Sequence, residues 1–386
     1  MPIPEIHLEM PDTPGIEDAP IPVRGLSPHE CYLGFQTESL AAFEKNRSRH
    51  LGRLTWGILD LPFDEMRALG SKLSPESTTI MRGFRDIEGF ITDYILAGIS
   101  NLRKAGSIAT IHGSWSGDEF IHPIALDNMM EASGMFTDSE LYDQTEETLA
   151  EIWTPSQHRG LHSPAGYIAF STFQERGTYL SYYRFIKHVR GEYGLPPEVT
   201  SEERARGMEY GISEGLRRIA GVEIYHHGVF LEQLKLLYKY FPEHTLLVVD
   251  EVLDPFSMPA MNLIPQGRQF LRALLRTGVY KKDTQEEEVI KPTLSSLGFP
   301  GRDLFNLAVE QAKVSVQSDD NKAHPRLFYV PRTYYSRHQL EAMAYNSWLD
   351  ERQKKTPDNL GSLEEYDQWA MEYGSYVSPF AEVTNN

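Results

Sequence analysis

Two copies of a Glu-x-x-His element carry the residue types in this sequence that are best suited to binding a metal ion. They are Glu119-Phe-Ile-His122 and Glu223-Ile-Tyr-His226, about 100 residues apart. On a helix, residues i and i+3 lie on the same face one turn apart, so the carboxylate and the imidazole of one element can reach a single metal ion or a neighbouring pair. The spacing therefore predicts that each element offers two ligands from one helix face.

The second element and two single glutamates fall on helix rows that are otherwise apolar or small. The row of Glu223 and His226 also contains Ile212, Leu216, Ile219, Phe230 and Leu237. Glu88 shares a row with Phe84, Ile91 and Ile95, and Glu175 shares one with Ile168, Ser171, Thr178 and Tyr182. Asp86 instead shares its side with Arg82 and is expected to face solvent. An uncompensated buried carboxylate costs roughly several kcal/mol, and a bound cation is the obvious compensation.

These rows predict one site that is built by four helices. Two helices give a single Glu and two give Glu-x-x-His, which is the ligand inventory of di-iron and di-manganese carboxylate bundles. The predicted metal ligands are Glu88, Glu119, His122, Glu175, Glu223 and His226. Because Cys31 is the only cysteine, a cysteine-based zinc or iron–sulfur site is excluded. Oxygen and imidazole ligation favours two iron ions, with manganese as the alternative.

The other histidines near these elements are predicted not to be ligands. His227 follows His226 but points about 100° round the helix, so it is expected to pack or to cap. His112 and His162 fall in predicted loops and are expected at the surface.

The elements that must position these ligands are nearly all helical in the sequence pattern. Apolar periodicity and Pro or Gly punctuation predict helices over 28–48, 62–71, 75–104, 116–134, 138–152, 164–190, 200–240, 243–253, 263–276, 284–297, 301–316, 336–354 and 362–374. The predicted fold is all-α, a ferritin-like four-helix bundle with additional flanking helices. Residues 1–25 are expected to form an extended or disordered arm, 26–317 the helical metal-binding domain, and 318–386 a helical extension packed on the bundle.

Composition limits the function classes. The chain has 37 Lys plus Arg against 55 Asp plus Glu and a net charge of −18, which opposes non-specific binding to nucleic acid or to anionic membranes. The Pro-rich, acidic first residues lack the apolar core of a secretory signal, and no apolar run of about 18 residues predicts a membrane span. A cytoplasmic protein is the expectation.

The sequence around the predicted ligands resembles the soluble acyl-acyl-carrier-protein desaturases, of which the plant stearoyl enzyme is a member. Trp115-Ser-Gly-Asp-Glu119-Phe-Ile-His122 is similar to the family's Trp-Thr-Ala-Glu-Glu-Asn-Arg-His. Ser171-Thr-Phe-Gln-Glu-Arg-Gly-Thr178 is similar to Thr-Ser-Phe-Gln-Glu-Arg-Ala-Thr, and Ile219-Ala-Gly-Val-Glu223-Ile-Tyr-His226 to Ile-Ala-Ala-Asp-Glu-Lys-Arg-His. With weaker matches at Ile87–Tyr94, Ser257–Ala260 and Gly278–Tyr280, the likeness extends over roughly residues 55–285.

The resemblance implies an O2-dependent di-iron enzyme that introduces a double bond into an acyl chain. Glu119 and Glu223 would bridge the two irons, and Thr178 would steer oxygen and proton transfer. Trp115, with Thr178, would be the other residue with a role in catalysis, as an indole that lies behind the metal ligands and does not itself bind metal. The implied partners are an acyl carrier protein that bears the substrate, a ferredoxin-type electron donor, and a second copy of the chain in a homodimer.

Several positions depart from the family pattern. Val222 stands where the family has an Asp that is expected to accept a hydrogen bond from an imidazole ligand. Loss of such a hydrogen-bond partner typically lowers metal affinity or activity by about 10–100-fold. Pro123 disfavours helical geometry at His122 and is expected to weaken it as a ligand. Two alternatives therefore stay open: a di-iron oxygenase or N-oxygenase acting on another small molecule, and a ferritin-like metal-binding protein without organic chemistry.

Overall fold

The computed structural model of the chain describes residues 18–69, 73–153, 161, 163–190, 208–254, 256, 258–316 and 323–328. Within these ranges the regular structure is entirely helical, which confirms the predicted all-α, ferritin-like class. The helices are α1 (Pro28–Leu54), α2 (Phe63–Leu69), α3 (Pro75–Gly89), α4 (Ile91–Leu102), α5 (Gly106–Glu119), α6 (Ile121–Ala132), α7 (Asp138–Leu149), α8 (Pro164–Val189), α9 (Met208–Tyr240), α10 (Pro242–Leu253), α11 (Gly267–Thr277), α12 (Lys282–Thr284), α13 (Lys291–Ser296), α14 (Arg302–Ser315) and α15 (Pro325–Phe328).

Capping residues in the sequence explain where the main helices begin. A Ser or Thr side chain accepts a hydrogen bond from the first turn of α1, α3, α7 and α8, at Ser27, Ser74, Thr137 and Ser163 respectively. In α1, α3 and α8 the cap is followed by a proline at the first helical position, where no backbone donor is needed. Each such cap contributes about 1 kcal/mol to helix stability.

Two predicted helices are each divided in the structure, and one of them also begins earlier than predicted. The predicted helix 75–104 is broken at Phe90 into α3 and α4, and the predicted helix 116–134 begins earlier, at Gly106, and is broken at Phe120 into α5 and α6. Pro123 explains the second break, because it lacks the N–H that would bond to the Glu119 carbonyl one turn earlier. In the structure this proline lies in the first turn of α6, where a proline is tolerated.

Helices α8 and α9 form the centre of the bundle and pack on each other along most of their length. Nearly every side chain of α8 is buried, which is typical of a helix that is surrounded by others. Large rings fill the space around it, with Phe173, Tyr179, Phe185 and Phe230 each almost fully buried. The central pair is therefore a dry environment in which any charge needs a partner.

The remaining helices surround this pair. Helix α1 packs on α9 and α5, α3 packs on α6 and α11, and α10 packs on α14. Between α12 and α13 the segment Gln285–Ile290 is a π-helix that lies beside α8. None of the helices in these described ranges is both long and apolar enough to cross a lipid bilayer. The predicted helices 336–354 and 362–374, most of the predicted arm 1–25 and nearly all of the predicted extension 318–386 lie outside the described residues.

Candidate metal centre

The six predicted ligands come from five helices that meet at the centre of the bundle. Glu88 lies in the last turn of α3, Glu119 is the last residue of α5, His122 is the second residue of α6, Glu175 lies on α8, and Glu223 and His226 lie on α9. All six side chains are buried, with exposures between 0% and 8%. The breaks at Phe90 and Phe120 thus lie two residues after Glu88 and one residue after Glu119.

The structure brings the six residues together as two overlapping groups of four. One group is Glu88, Glu119, His122 and Glu223, and the other is Glu119, Glu175, Glu223 and His226. In each group the potential ligand atoms lie within 4.8 Å of one another, so each group could hold a metal ion. Glu119 and Glu223 belong to both groups, and they therefore lie where a carboxylate shared between two ions would be.

The two oxygens of Glu119 face different histidines. Its Oε2 lies 3.0 Å from the Nδ1 of His122, and its Oε1 lies 2.7 Å from the Nδ1 of His226. The Oε1 of Glu223 lies 3.2 Å from the Nδ1 of His122. Both imidazoles consequently point Nδ1 into the cluster, and Nδ1 is the atom that each would offer to a metal ion.

Many polar atoms of the cluster are buried without a hydrogen bond of good geometry among the described residues, although close ion-pair contacts join Glu119 to both histidines. These atoms are Glu119 Oε1, Glu175 Oε2, both carboxylate oxygens of Glu223, His226 Nδ1 and both ring nitrogens of His122. Each unsatisfied buried polar group costs about 1–3 kcal/mol. All of these atoms except His122 Nε2 belong to the groups that converge, so divalent cations bound there would satisfy them together. The oxygen and imidazole donors fit iron or manganese better than a soft metal ion.

The charges of Glu119 and of the two histidines stabilise one another. Burial alone would raise the pKa of Glu119, but the neighbouring His122 and His226 outweigh burial and lower this pKa to about 2. Burial would likewise lower the pKa of both histidines, whereas Glu119 and the other carboxylates raise each to about 9. Without a metal ion, Glu119 is therefore the ionised carboxylate that faces two imidazolium groups.

The other three carboxylates take up protons more readily than usual. Burial, followed by the charges of Glu223 and Glu119, raises the pKa of Glu175 well above its ordinary value. Burial and the charges of Glu119 and Glu88 do the same to the pKa of Glu223. Burial also raises the pKa of Glu88, to about 7, although His122 acts in the opposite direction. The metal-free cluster thus limits its negative charge by binding protons, and a metal ion would have to displace them.

Aromatic side chains hold the two outer carboxylates. Trp115 donates from its indole Nε1 to Glu175 Oε1 at 2.9 Å, and Tyr182 donates from its hydroxyl to Glu88 Oε1 at 2.8 Å. A role for Trp115 was predicted from the sequence, whereas none was predicted for Tyr182. The signal was present, because Tyr182 lies on the same row as Glu175, seven residues further along α8. Thr178 is buried one turn after Glu175, and its hydroxyl accepts a hydrogen bond from Gln174 at 3.1 Å.

Two other expectations about histidine can be compared with the structure. His227 packs as predicted, with its Nδ1 at 2.9 Å from the Thr172 carbonyl and its pKa lowered to about 3, first of all by burial. The prediction that His112 lies in a surface loop was wrong. It is buried on α5, with Nε2 at 3.2 Å from the Ile95 carbonyl and Nδ1 at 2.9 Å from the Tyr167 hydroxyl. Because a carbonyl can only accept, Nε2 carries the proton and Nδ1 accepts from the tyrosine. His162 lies outside the described residues.

The prediction that Asp86 faces solvent was also wrong. Asp86 is buried and accepts hydrogen bonds from Arg85 and Thr148, both at 3.3 Å, and from Gln144 at 2.5 Å. Helix α7 packs across α3 and supplies Gln144 and Thr148, so a side that is polar in sequence is covered in the fold. This network joins α3 to α7 and is separate from the buried cluster of glutamates and histidines.

No protein-family model matches this chain, and no curated protein matches it.

Proposed function

We propose that the chain is an O2-dependent di-iron oxidoreductase and that its reaction is the introduction of a double bond into an acyl chain borne by a carrier protein. The observation that carries the proposal is the overlap of two groups of four ligand residues that share Glu119 and Glu223. Shared carboxylates let two cations lie side by side in a buried site, which a single-ion or purely structural site does not require. The resemblance to the soluble acyl-acyl-carrier-protein desaturases supports the choice of reaction.

In this proposal Glu88 and His122 would hold one iron, Glu175 and His226 would hold the other, and Glu119 and Glu223 would be shared between them. Two irons held there would supply the O2 chemistry that removal of two hydrogens needs, with electrons from a ferredoxin-type donor; manganese is the alternative metal. Trp115 and Tyr182 orient the outer carboxylates through their 2.9 Å and 2.8 Å hydrogen bonds. The Thr178 hydroxyl, one turn from Glu175, would move protons between the centre and the substrate.

The fate of the two oxygen atoms of O2 distinguishes the proposed desaturase from an oxygenase or N-oxygenase. A desaturase releases both oxygen atoms as water, whereas an oxygenase or N-oxygenase keeps one in the product. Val222 replaces the acidic residue of the family, and residues that hydrogen-bond to metal ligands influence the reactivity of the metal. The oxygenase alternative should therefore be tested directly. Iron-loaded protein, a reducing ferredoxin system and ¹⁸O2 should be incubated with a panel of acyl carrier protein substrates. An unlabelled product two mass units lighter than its substrate supports desaturation, and a labelled product refutes it.

The same experiment tests the third reading, a ferritin-like metal-binding protein. Such a protein would oxidise and deposit iron without converting any organic substrate. Glu119→Gln provides the matched control, since it keeps the shape of the side chain but removes the carboxylate that faces both histidines. Substrate turnover that disappears in this variant supports the enzyme. Mineralised iron with no product in the wild-type protein contradicts it.

A homodimer is part of the proposal, and exposed apolar side chains support it. Leu96 and Ile99 on α4 and Phe120 and Ile124 around α6 are each about half exposed, between 47% and 61%. Large apolar side chains that remain exposed on a folded surface are candidates for an interface. We expect Leu96→Asp combined with Ile124→Asp to convert a dimer to a monomer in analytical ultracentrifugation. Tyr142→Asp, at a 64% exposed ring on α7, is the control that should leave the dimer intact.

A further inference from the structure

The two Glu-x-x-His elements differ at the residue before each glutamate. Asp118 precedes Glu119 on α5, whereas Val222 precedes Glu223 on α9. The elements are otherwise used in the same way, since each places a shared glutamate and an inward-facing Nδ1 in the cluster. A difference at this one position therefore makes the two halves of the centre unequal.

Asp118 holds the histidine of the opposite element. Its Oδ2 lies 3.4 Å from the Nε2 of His226, while the Nδ1 of the same ring faces Glu119 at 2.7 Å. An acceptor on Nε2 fixes the proton there and leaves the Nδ1 lone pair free for a metal ion. Asp118 thus determines both the orientation and the tautomer of His226.

His122 has no such partner in the described part of the chain. The ring is fully buried, and its Nε2 makes no hydrogen bond to any described residue. Val222, at the position that corresponds to Asp118, is buried with 3% exposure and offers no acceptor side chain. The orientation and tautomer of His122 are consequently set only from the metal side, by Glu119 and Glu223.

The outer carboxylates do not compensate for this inequality. Glu88, in the group of His122, accepts one hydrogen bond from Tyr182 at 2.8 Å, and Glu175, in the group of His226, accepts one from Trp115 at 2.9 Å. These two supports are matched in number and in length. The two halves of the centre therefore differ in the hydrogen-bond partner of the imidazole, which His226 has in Asp118 and His122 lacks among the described residues.

We propose that the two metal positions bind with unequal affinity, so that the position of Glu175 and His226 fills first and the position of Glu88 and His122 fills second and exchanges its ion more readily. The inference rests on the two-ion centre of the proposed function. Loss of an outer partner typically weakens metal binding by about 10–100-fold, and this is the separation expected between the two binding steps. At limiting metal the chain would hold one ion, and a second, different ion could then enter the weaker position.

The test is an anaerobic titration of the metal-free, full-length chain with Co²⁺, followed by calorimetry and by the visible absorption of bound cobalt. Wild-type protein should show two binding steps separated by about 10–100-fold. Asp118→Ala should weaken the first step by a similar factor and bring the two steps together. Asp118→Asn, which keeps an acceptor, should restore most of the separation.

Val222→Asp is the gain-of-function variant and should tighten the second step about tenfold or more, with the first step unchanged. Val222→Asn keeps the test available if a buried acid prevents folding. Gly221→Asp is the matched control for charge, because Gly221 is exposed and an added side chain there meets no described atom within 4 Å. It should leave both steps near their wild-type values.

Two equal steps in the wild-type protein, or equal effects of Val222→Asp and Gly221→Asp, would overturn the inference. Uptake of only one ion even at saturation would overturn it together with the two-iron function. Stepwise uptake of two ions by a protein that converts no organic substrate would leave the inference standing and would refute the proposed oxidoreductase.

Discussion

The same substitution at two glutamates of the cluster should destabilise the metal-free protein to very different extents. Glu119→Gln removes the charge that faces the Nδ1 atoms of His122 and His226, at 3.0 Å and 2.7 Å. Glu175→Gln should remove little charge, because burial and the neighbouring carboxylates raise the pKa of Glu175 well above its ordinary value and favour its protonated form. Glutamine closely matches a protonated glutamic acid in shape. Both variants nevertheless lose a ligand and should bind metal poorly.

The magnitude follows from the pKa of Glu119, which the two histidines, acting against burial, lower from 4.5 to about 2. At about 1.4 kcal/mol per unit this shift corresponds to about 3 kcal/mol of stability, near the cost of breaking a buried ion pair. A carboxylate with a lowered pKa stabilises the fold above its unfolded value of 4.5 and loses that effect as pH falls through about 2. The histidines, with pKa values raised from 6.5 to about 9, stabilise it below 6.5 and lose that effect as pH rises through about 9.

The deficit of Glu119→Gln should therefore be largest between pH 4.5 and 6.5 and should diminish at both extremes. Urea unfolding of metal-free protein at pH 6, followed by circular dichroism, should give a free energy of unfolding about 3 kcal/mol lower for Glu119→Gln. The loss for Glu175→Gln should stay below about 1 kcal/mol, as for a near-isosteric neutral exchange. Equal losses for the two variants, or a larger loss for Glu175→Gln, would refute this distribution of charge.

Three further predictions concern the loaded centre. Glu175→Ala and Glu223→Ala should each abolish the visible ligand-to-metal absorption of the oxidised, iron-loaded protein; unchanged spectra in both would remove these residues from the ligand set. Metal affinity should fall as pH is lowered, because the ion displaces protons from His122 and His226, whose pKa values are about 9, and from Glu175 and Glu223, whose pKa values are raised. Calorimetry in buffers of different ionisation enthalpy should detect the released protons, and binding without proton release would contradict the assignment. Trp115→Phe removes the 2.9 Å bond to Glu175 and should weaken metal binding about tenfold in a cobalt titration, whereas undiminished binding would show that the indole only packs.

The sequence predicted which residues form the buried cluster better than it predicted their surroundings. Four of the six residues could be found because helix periodicity places them on rows that must be buried, where a charge requires a partner. Glu119 and His122 were found from the repeated Glu-x-x-His spacing. The caps at Ser74 and Ser163 likewise gave two helix starts, since Ser followed by Pro is a local signal that needs no tertiary information.

The errors came from features that depend on packing between helices. Asp86 looks exposed on α3 alone, and only the position of α7 buries it. His112 was assigned to a loop because α5 has the small residues Gly106, Gly113 and Gly117 on its outer side, which leave its apolar period weak. The hydrogen bond between Asp118 and His226 joins two helices that are distant in sequence, so the residues around Asp118 do not predict it.

The most direct test for a two-iron centre is a crystal structure of the iron-loaded chain with anomalous data collected at the iron edge. Two anomalous peaks should lie about 3.5–4 Å apart, as in other two-metal sites, with Glu119 and Glu223 between them and the Nδ1 atoms of His122 and His226 on either side. A single peak, or peaks remote from these side chains, would contradict the claim that this buried cluster is a two-iron centre.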